Sequence, residues 1–177
     1  MNFLTINKSE VLRNYFLDYP TKEIHLRELS RKTGISFPRV REICLDLLKM
    51  GLISKRNEGG LVLLKANRDS VYFIAKKRGR NIELLYSSGL CDKLIDEYQR
   101  PEAIIVFGSY ARAEDSEESD IDIAVITKKH KSFNIAEFEK MLKRKITIHE
   151  ISKEKSDKEF LNTLANGIGL YGFYEVV

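Results

Sequence analysis

Between Ser9 and Tyr19 the apolar positions Val11, Leu12, Tyr15 and Phe16 fall at helical spacing and Pro20 ends the run, which predicts a first helix. Ile24-His25-Leu26 reads as a short extended bridge and Arg27 to Lys32 as a short helix stopped by Gly34. Ser36 can then cap a longer helix that reaches Met50 and is closed by Gly51. In that helix Val40, Ile43, Cys44, Leu47 and Leu48 form one apolar stripe, while Arg39, Arg41 and Glu42 fall outside it, so the polar face is partly basic. Leu52 to Arg56, the turn Asn57-Glu58-Gly59-Gly60, and Leu61 to Lys65 then read as a hairpin. Residues 71–99 are helical in pattern, with Gly79 and Ser87-Ser88-Gly89 as expected breaks.

Helix, short helix, turn, longer helix and hairpin follow in the order of a winged helix-turn-helix. Residues 8–67 resemble an archaeal or bacterial winged-helix DNA-binding domain, with Gly34-Ile35-Ser36 as the turn and Ser36 to Met50 as the recognition helix. The resemblance implies that Ser36, Arg39 and Arg41 approach the major groove of duplex DNA, and that Arg56 with the Gly59-Gly60 tip approaches phosphate or the minor groove. Winged helices also dock proteins without touching DNA. The basic run Lys76 to Arg80 reads as a solvated face.

The pattern changes after residue 100. Ala103-Ile104-Ile105-Val106-Phe107 is a continuous apolar run of the kind a buried strand requires, and Gly108-Ser109-Tyr110-Ala111-Arg112 follows it. Gly108 permits close backbone approach, exposed amides with the Ser109 hydroxyl can hold phosphate oxygens, and Arg112 can add positive charge. Further on, Asp120-Ile121-Asp122-Ile123 puts two carboxylates on one face of a strand and two isoleucines on the other. Carboxylates so placed repel each other unless a cation lies between them, which points to a hard cation of the Mg²⁺ type.

Strand, Gly-Ser, short helix and Asp-x-Asp on the next strand resemble the polymerase-beta-type nucleotidyltransferases, in particular the minimal nucleotidyltransferase branch. The closing Asn166 to Gly172 segment looks like that of small archaeal relatives. The resemblance implies transfer of a nucleoside monophosphate from a nucleoside triphosphate to an acceptor, with Mg²⁺ or Mn²⁺ as cofactor. Gly108, Ser109 and Arg112 would bind the nucleotide, and Asp120 and Asp122 would be catalytic metal ligands. A third carboxylate is expected on a later strand, but Arg144 to Ile151 puts Thr147 in that place. His149 shares a face with Thr147 and is the candidate substitute, whereas Glu150 points to the other face. The acidic run Glu114 to Glu118 reads as a solvated loop.

The expected fold class is therefore α/β (α+β). A winged helix over residues 1–70 is followed by connector helices over 71–98, then a nucleotidyltransferase domain over 99–177 with a mixed sheet and flanking helices. Composition agrees: of 177 residues 43% are hydrophobic and 32% charged, enough to bury one large or two small cores. No apolar run approaches the ~20 residues needed to cross a bilayer, and Met1-Asn2-Phe3 does not start a secretory leader, so a cytoplasmic protein without a membrane partner is expected. Only two cysteines occur, Cys44 and Cys91, well separated and with no Cys-x-x-Cys pair, so neither a zinc finger nor a disulfide framework is expected.

Charge is uneven, with 13 Lys/Arg against 8 Asp/Glu over residues 1–70 and 11 against 14 over residues 101–177. A basic module thus precedes an acidic one, which suits a polyanion partner for the first. Two functions follow: a metal-dependent nucleotidyltransferase coupled to a DNA-binding winged helix, or a catalytically weakened transferase fold serving as transcriptional regulator or nucleotide sensor. Intact Gly-Ser and Asp-x-Asp favour the first, Thr147 the second. Expected partners are a nucleoside triphosphate and double-stranded DNA. Minimal nucleotidyltransferases are often antitoxins, so a protein acceptor or a toxin partner is also in view, and an oligomer is compatible with the sequence.

Overall fold

The computed structural model describes residues 7–129, 131, 133–152 and 158–174, and the chain divides into two compact units, 1–77 and 78–177. In the first unit, α1 (Lys8–Asp18) is started by Asn7, whose side chain accepts a hydrogen bond from the Ser9 amide at 3.1 Å. β1 (Ile24–His25) leads into α2 (Leu26–Thr33), which Gly34 terminates in the left-handed region at φ 68°. α3 (Phe37–Lys49) carries Pro38 in its first turn, where a missing N–H costs nothing. β2 (Ile53–Glu58) and β3 (Leu61–Ala66) form an antiparallel hairpin, and β1 joins its free side to give the sheet order β1-β3-β2.

The first core gathers Leu12, Phe16, Leu29, Val40, Ile43, Cys44, Leu47 and Leu64, joined by Phe73 near the start of α4 (Val71–Ser87). The stripe of α3 is thus the buried face, and Arg39 and Arg41 are exposed. Gly79, expected to break a helix, lies inside α4 instead. Its intrinsic cost of about 1 kcal/mol against Ala is small beside the 17-residue hydrogen-bonded frame around it. The break falls at Gly89, φ 79°.

In the second unit α5 (Leu90–Glu97) precedes β4 (Ala103–Phe107), α6 (Gly108–Arg112), β5 (Ile121–Ile126), α7 (Ala136–Leu142), β6 (Ile146–Ile151), α8 (Lys158–Ala165) and β7 (Ile168–Gly172). The sheet order is β6-β5-β4-β7, with β5 and β6 parallel and the other pairs antiparallel. α7 lies in the crossover that a parallel pair requires. All five β4 residues are buried because both faces of the strand are covered. Ile104, Val106, Ile121, Ile123 and Val125 face one core with Leu85, Leu90, Cys91 and Leu94 from the helices, and Ala103, Ile105, Phe107, Ala124 and Ile126 face another with Leu164. Gly172, at φ 69°, ends β7 where any Cβ would meet the Glu102 carbonyl oxygen.

Candidate functional site

The antiparallel register sets Phe107, the last residue of β4, opposite Asp122 of β5, so the chain turns into α6 directly beside that carboxylate. Gly108 makes the turn at φ 71°, and a Cβ there would stand 3.0 Å from Asp122 Oδ2. Both the backbone angle and the space require glycine. On the other side the parallel register pairs Asp122 with Thr147 and Ala124 with His149. His149 Nε2 lies 3.3 Å from Asp122 Oδ1, and each side chain is 34% exposed. The imidazole packs edge-on to Phe107 with ring centroids 5.1 Å apart and lies 6.0 Å from Phe160, so two aromatic rings fix its plane.

Gly108, Asp122, Thr147 and His149 are therefore brought together at one end of the sheet. Asp120 is exposed and stands just before β5, on the Asp122 side by strand alternation. Ser109, half-buried, lies in α6. Arg112 points to solvent, where its Nε donates to Glu114 at 2.8 Å. Two carboxylates two residues apart supply oxygen ligands of the kind a hard cation takes; Asp122 Oδ1 has His149 as its neighbour, and Oδ2 stands 3.0 Å from where a Cβ on Gly108 would lie. Among the described residues no group of three or more His, Cys, Asp or Glu converges in metal-holding geometry.

The acidic run is not wholly a solvated loop. Asp115 is fully buried and accepts from Asn81 Nδ2 and Arg144 Nη2, each at 2.9 Å. Arg144 is 9% exposed, also donates to the carbonyls of Ser116 and Ser119, and lies over the Tyr110 ring at 5.5 Å. Asn81 in turn donates to the Tyr110 carbonyl at 2.8 Å. This network ties α4, α6, the loop before Asp120 and the start of β6 into one frame. Sequence reasoning missed it because one buried aspartate in an acidic stretch carries no local signal; only the lack of an apolar alternative at Arg144, just before a strand, hints at it.

In the first unit Ser36, Arg39 and Arg41 are exposed on or beside the start of α3, with Arg39 Nη1 2.6 Å from Glu42. Arg56 is engaged differently from the expectation. Its guanidinium donates through Nε and Nη2 to Glu23, the shortest contact being 2.6 Å, and lies 3.0 Å from Glu58. The hydrogen bond from Arg56 holds the Glu23 carboxyl below its ordinary range.

Residues 91–172 match the family described as polymerase beta, nucleotidyltransferase. No curated protein matches the chain. Among solved structures, a "putative nucleotidyltransferase" from Sulfolobus solfataricus is 21% identical, with 56% of this chain and 86% of that chain covered and a TM-score of 0.32. No described helix is long and apolar enough to cross a membrane.

Proposed function

We propose that the second unit is a metal-dependent nucleotidyltransferase, moving a nucleoside monophosphate from a nucleoside triphosphate to an acceptor, and that the first unit is a winged helix that holds it on duplex DNA. The observation that carries the transferase reading is the turn at Gly108, φ 71°, where a Cβ would stand 3.0 Å from Asp122 Oδ2, inside the segment that matches a nucleotidyltransferase family. A backbone without a side chain at that point lets triphosphate oxygens come up to the amides of α6 and the Ser109 hydroxyl. Asp120 and Asp122 are the residues that would hold Mg²⁺ or Mn²⁺, which supplies charge neutralisation at the phosphates. Arg112 would exchange its exposed Glu114 partner for phosphate at little cost, since such pairs are worth at most about 1 kcal/mol.

On the acceptor side, Thr147 stands in register with Asp122 and brings a neutral hydroxyl where a third carboxylate was expected. With Nε2 turned to Asp122, His149 keeps Nδ1 for a proton leaving the acceptor hydroxyl. The test is incorporation of labelled nucleotide into candidate acceptors. Wild-type incorporation that is lost in Asp122→Asn and reduced in His149→Ala supports the enzyme. Nucleotide binding without incorporation, in wild type and in Thr147→Asp alike, favours the second reading that Thr147 motivates, a weakened transferase acting as a nucleotide-sensing regulator.

The DNA component rests on the sheet order β1-β3-β2 behind three helices and on exposed Ser36, Arg39 and Arg41. Arg56 joins only if phosphate displaces Glu23 and Glu58, so its contribution is smaller than the bare sequence suggests.

A further inference from the structure

At the other end of the same sheet, a cleft of about 410 Å³ opens between the end of α5 and the last residues of β5 and β6. Its apolar lining comes from Tyr98, Pro101, Ile126 and Ile151, all buried, while Arg100, Lys128 and Lys129 stand exposed against a single acidic lining residue, Glu102. Ile126 follows Asp122 by four residues on one strand, which separates the cleft from the carboxylate site by about 13 Å. The two cannot share one mononucleotide.

The lip is built in an unusual way. Gln99 and Arg100 are consecutive non-glycine residues in the left-handed region, φ 54° and 59°, a conformation that L side chains rarely adopt. The Arg100 amide closes the end of α5 by donating to the Ile95 carbonyl at 2.8 Å, and its guanidinium makes no hydrogen bond or ion pair among the described residues. Lys129 Nζ donates to Gln99 Oε1 at 2.5 Å, so one cation is already held at the lip. The volume falls within the range of small-molecule sites, and the combination of apolar lining and cationic rim selects an anion that carries a non-polar body.

We propose that this cleft is a second ligand site, independent of the carboxylate site, for a small phosphomonoester bearing an apolar or aromatic group. The probe is AMP with EDTA present, followed by amide chemical shifts of the full chain, with adenosine, inorganic phosphate and a short single-stranded oligonucleotide as comparison arms. AMP is expected to shift Gln99, Arg100 and Thr127 to Lys129 saturably without metal, inorganic phosphate to shift them more weakly, and adenosine to leave them in place. Arg100→Gln with Lys129→Gln should weaken AMP about tenfold, and Asp122→Asn should leave it unchanged. Both substituted positions are exposed, so melting should not move; if it does, the single Arg100→Gln variant carries the same comparison. Shifts confined to Gly108–Arg112, no shift by about 10 mM AMP, binding indifferent to the charge removals, or an oligonucleotide that outcompetes AMP would each overturn the proposal.

Discussion

Replacing Asp115 by Ala removes a carboxylate that is wholly out of water and strands what it was bonded to. Arg144 loses one of its three acceptors and Asn81 loses one of the two that its Nδ2 serves. Bonds to charged groups are worth about 1.5–3 kcal/mol each, and breaking one side of a buried pair costs about 3–5 kcal/mol. The remaining carbonyls of Ser116 and Ser119 keep Arg144 partly satisfied, so the lower half of that range, about 3 kcal/mol, is expected. Each unit carries its own reporter: Cys44 is 2% exposed in the first core and Cys91 is 2% exposed in the second. Pulsed thiol labelling across a urea series, read by mass, therefore follows the two units separately. With a denaturant slope of about 1.5 kcal/mol per molar, the Cys91 midpoint should fall by about 2 M while the Cys44 midpoint stays. Glu114→Ala, on the exposed neighbour, should move neither by more than about 0.7 M. A shift of the Cys91 midpoint no larger than that of Glu114→Ala would refute the view that Asp115 is structurally committed.

Gly108→Ala should cost about 1–2 kcal/mol in the second unit through the left-handed backbone alone, and should weaken triphosphate binding further by pushing on Asp122, as isothermal titration would show. Duplex DNA affinity should fall steeply between low and physiological salt and fall again in the Arg39→Ala, Arg41→Ala double variant; salt-independent binding would mark the first unit as a protein-docking module. Burial pushes the Cys44 thiol from 9.0 up to about 12, so the folded first unit keeps its proton where the unfolded chain loses it. Its stability is full below pH 9 and falls by up to about 1.4 kcal/mol per pH unit as the pH rises toward 12, and Cys44→Val should flatten that slope in alkaline denaturation curves.

Much of the fold was legible because the periodicities were strong. The α3 stripe from Val40 to Leu47 and the unbroken run of β4 each admit one burial pattern, and the structure buries those residues. Gly79 misled because a glycine weakens a helix without ending one, whereas Gly89 ends one by taking φ 79°. α7 and α8 were not anticipated. Neither has a strong stripe: α7 buries no residue fully, and its Phe138 and Leu142 only lean on a core that the strands complete. Side-chain pairing was the least legible, because it depends on residues far apart in sequence. Arg56 looks like a phosphate ligand in sequence until the hairpin sets it against Glu23, 33 positions away.

The same register logic bears on the Thr147 departure. Because β5 and β6 are parallel and Asp122 pairs with Thr147, the residue that leans toward Asp122 is His149, one step further along the same face. An aspartate at 147 would stand directly beside Asp122 with nothing apolar to separate them, and each would raise the cost of ionising the other unless a cation entered. With threonine at 147, Asp122 has the His149 imidazole, 3.3 Å away, as a hydrogen-bond partner of its own. Thr147→Asp should therefore make the stability of the second unit rise more steeply with Mg²⁺ than that of the wild type, whose proposed ligands are Asp120 and Asp122 alone. Equal Mg²⁺ dependence in the two proteins, read by the Cys91 labelling midpoint, would show that a carboxylate at 147 does not join Asp122 at the cation.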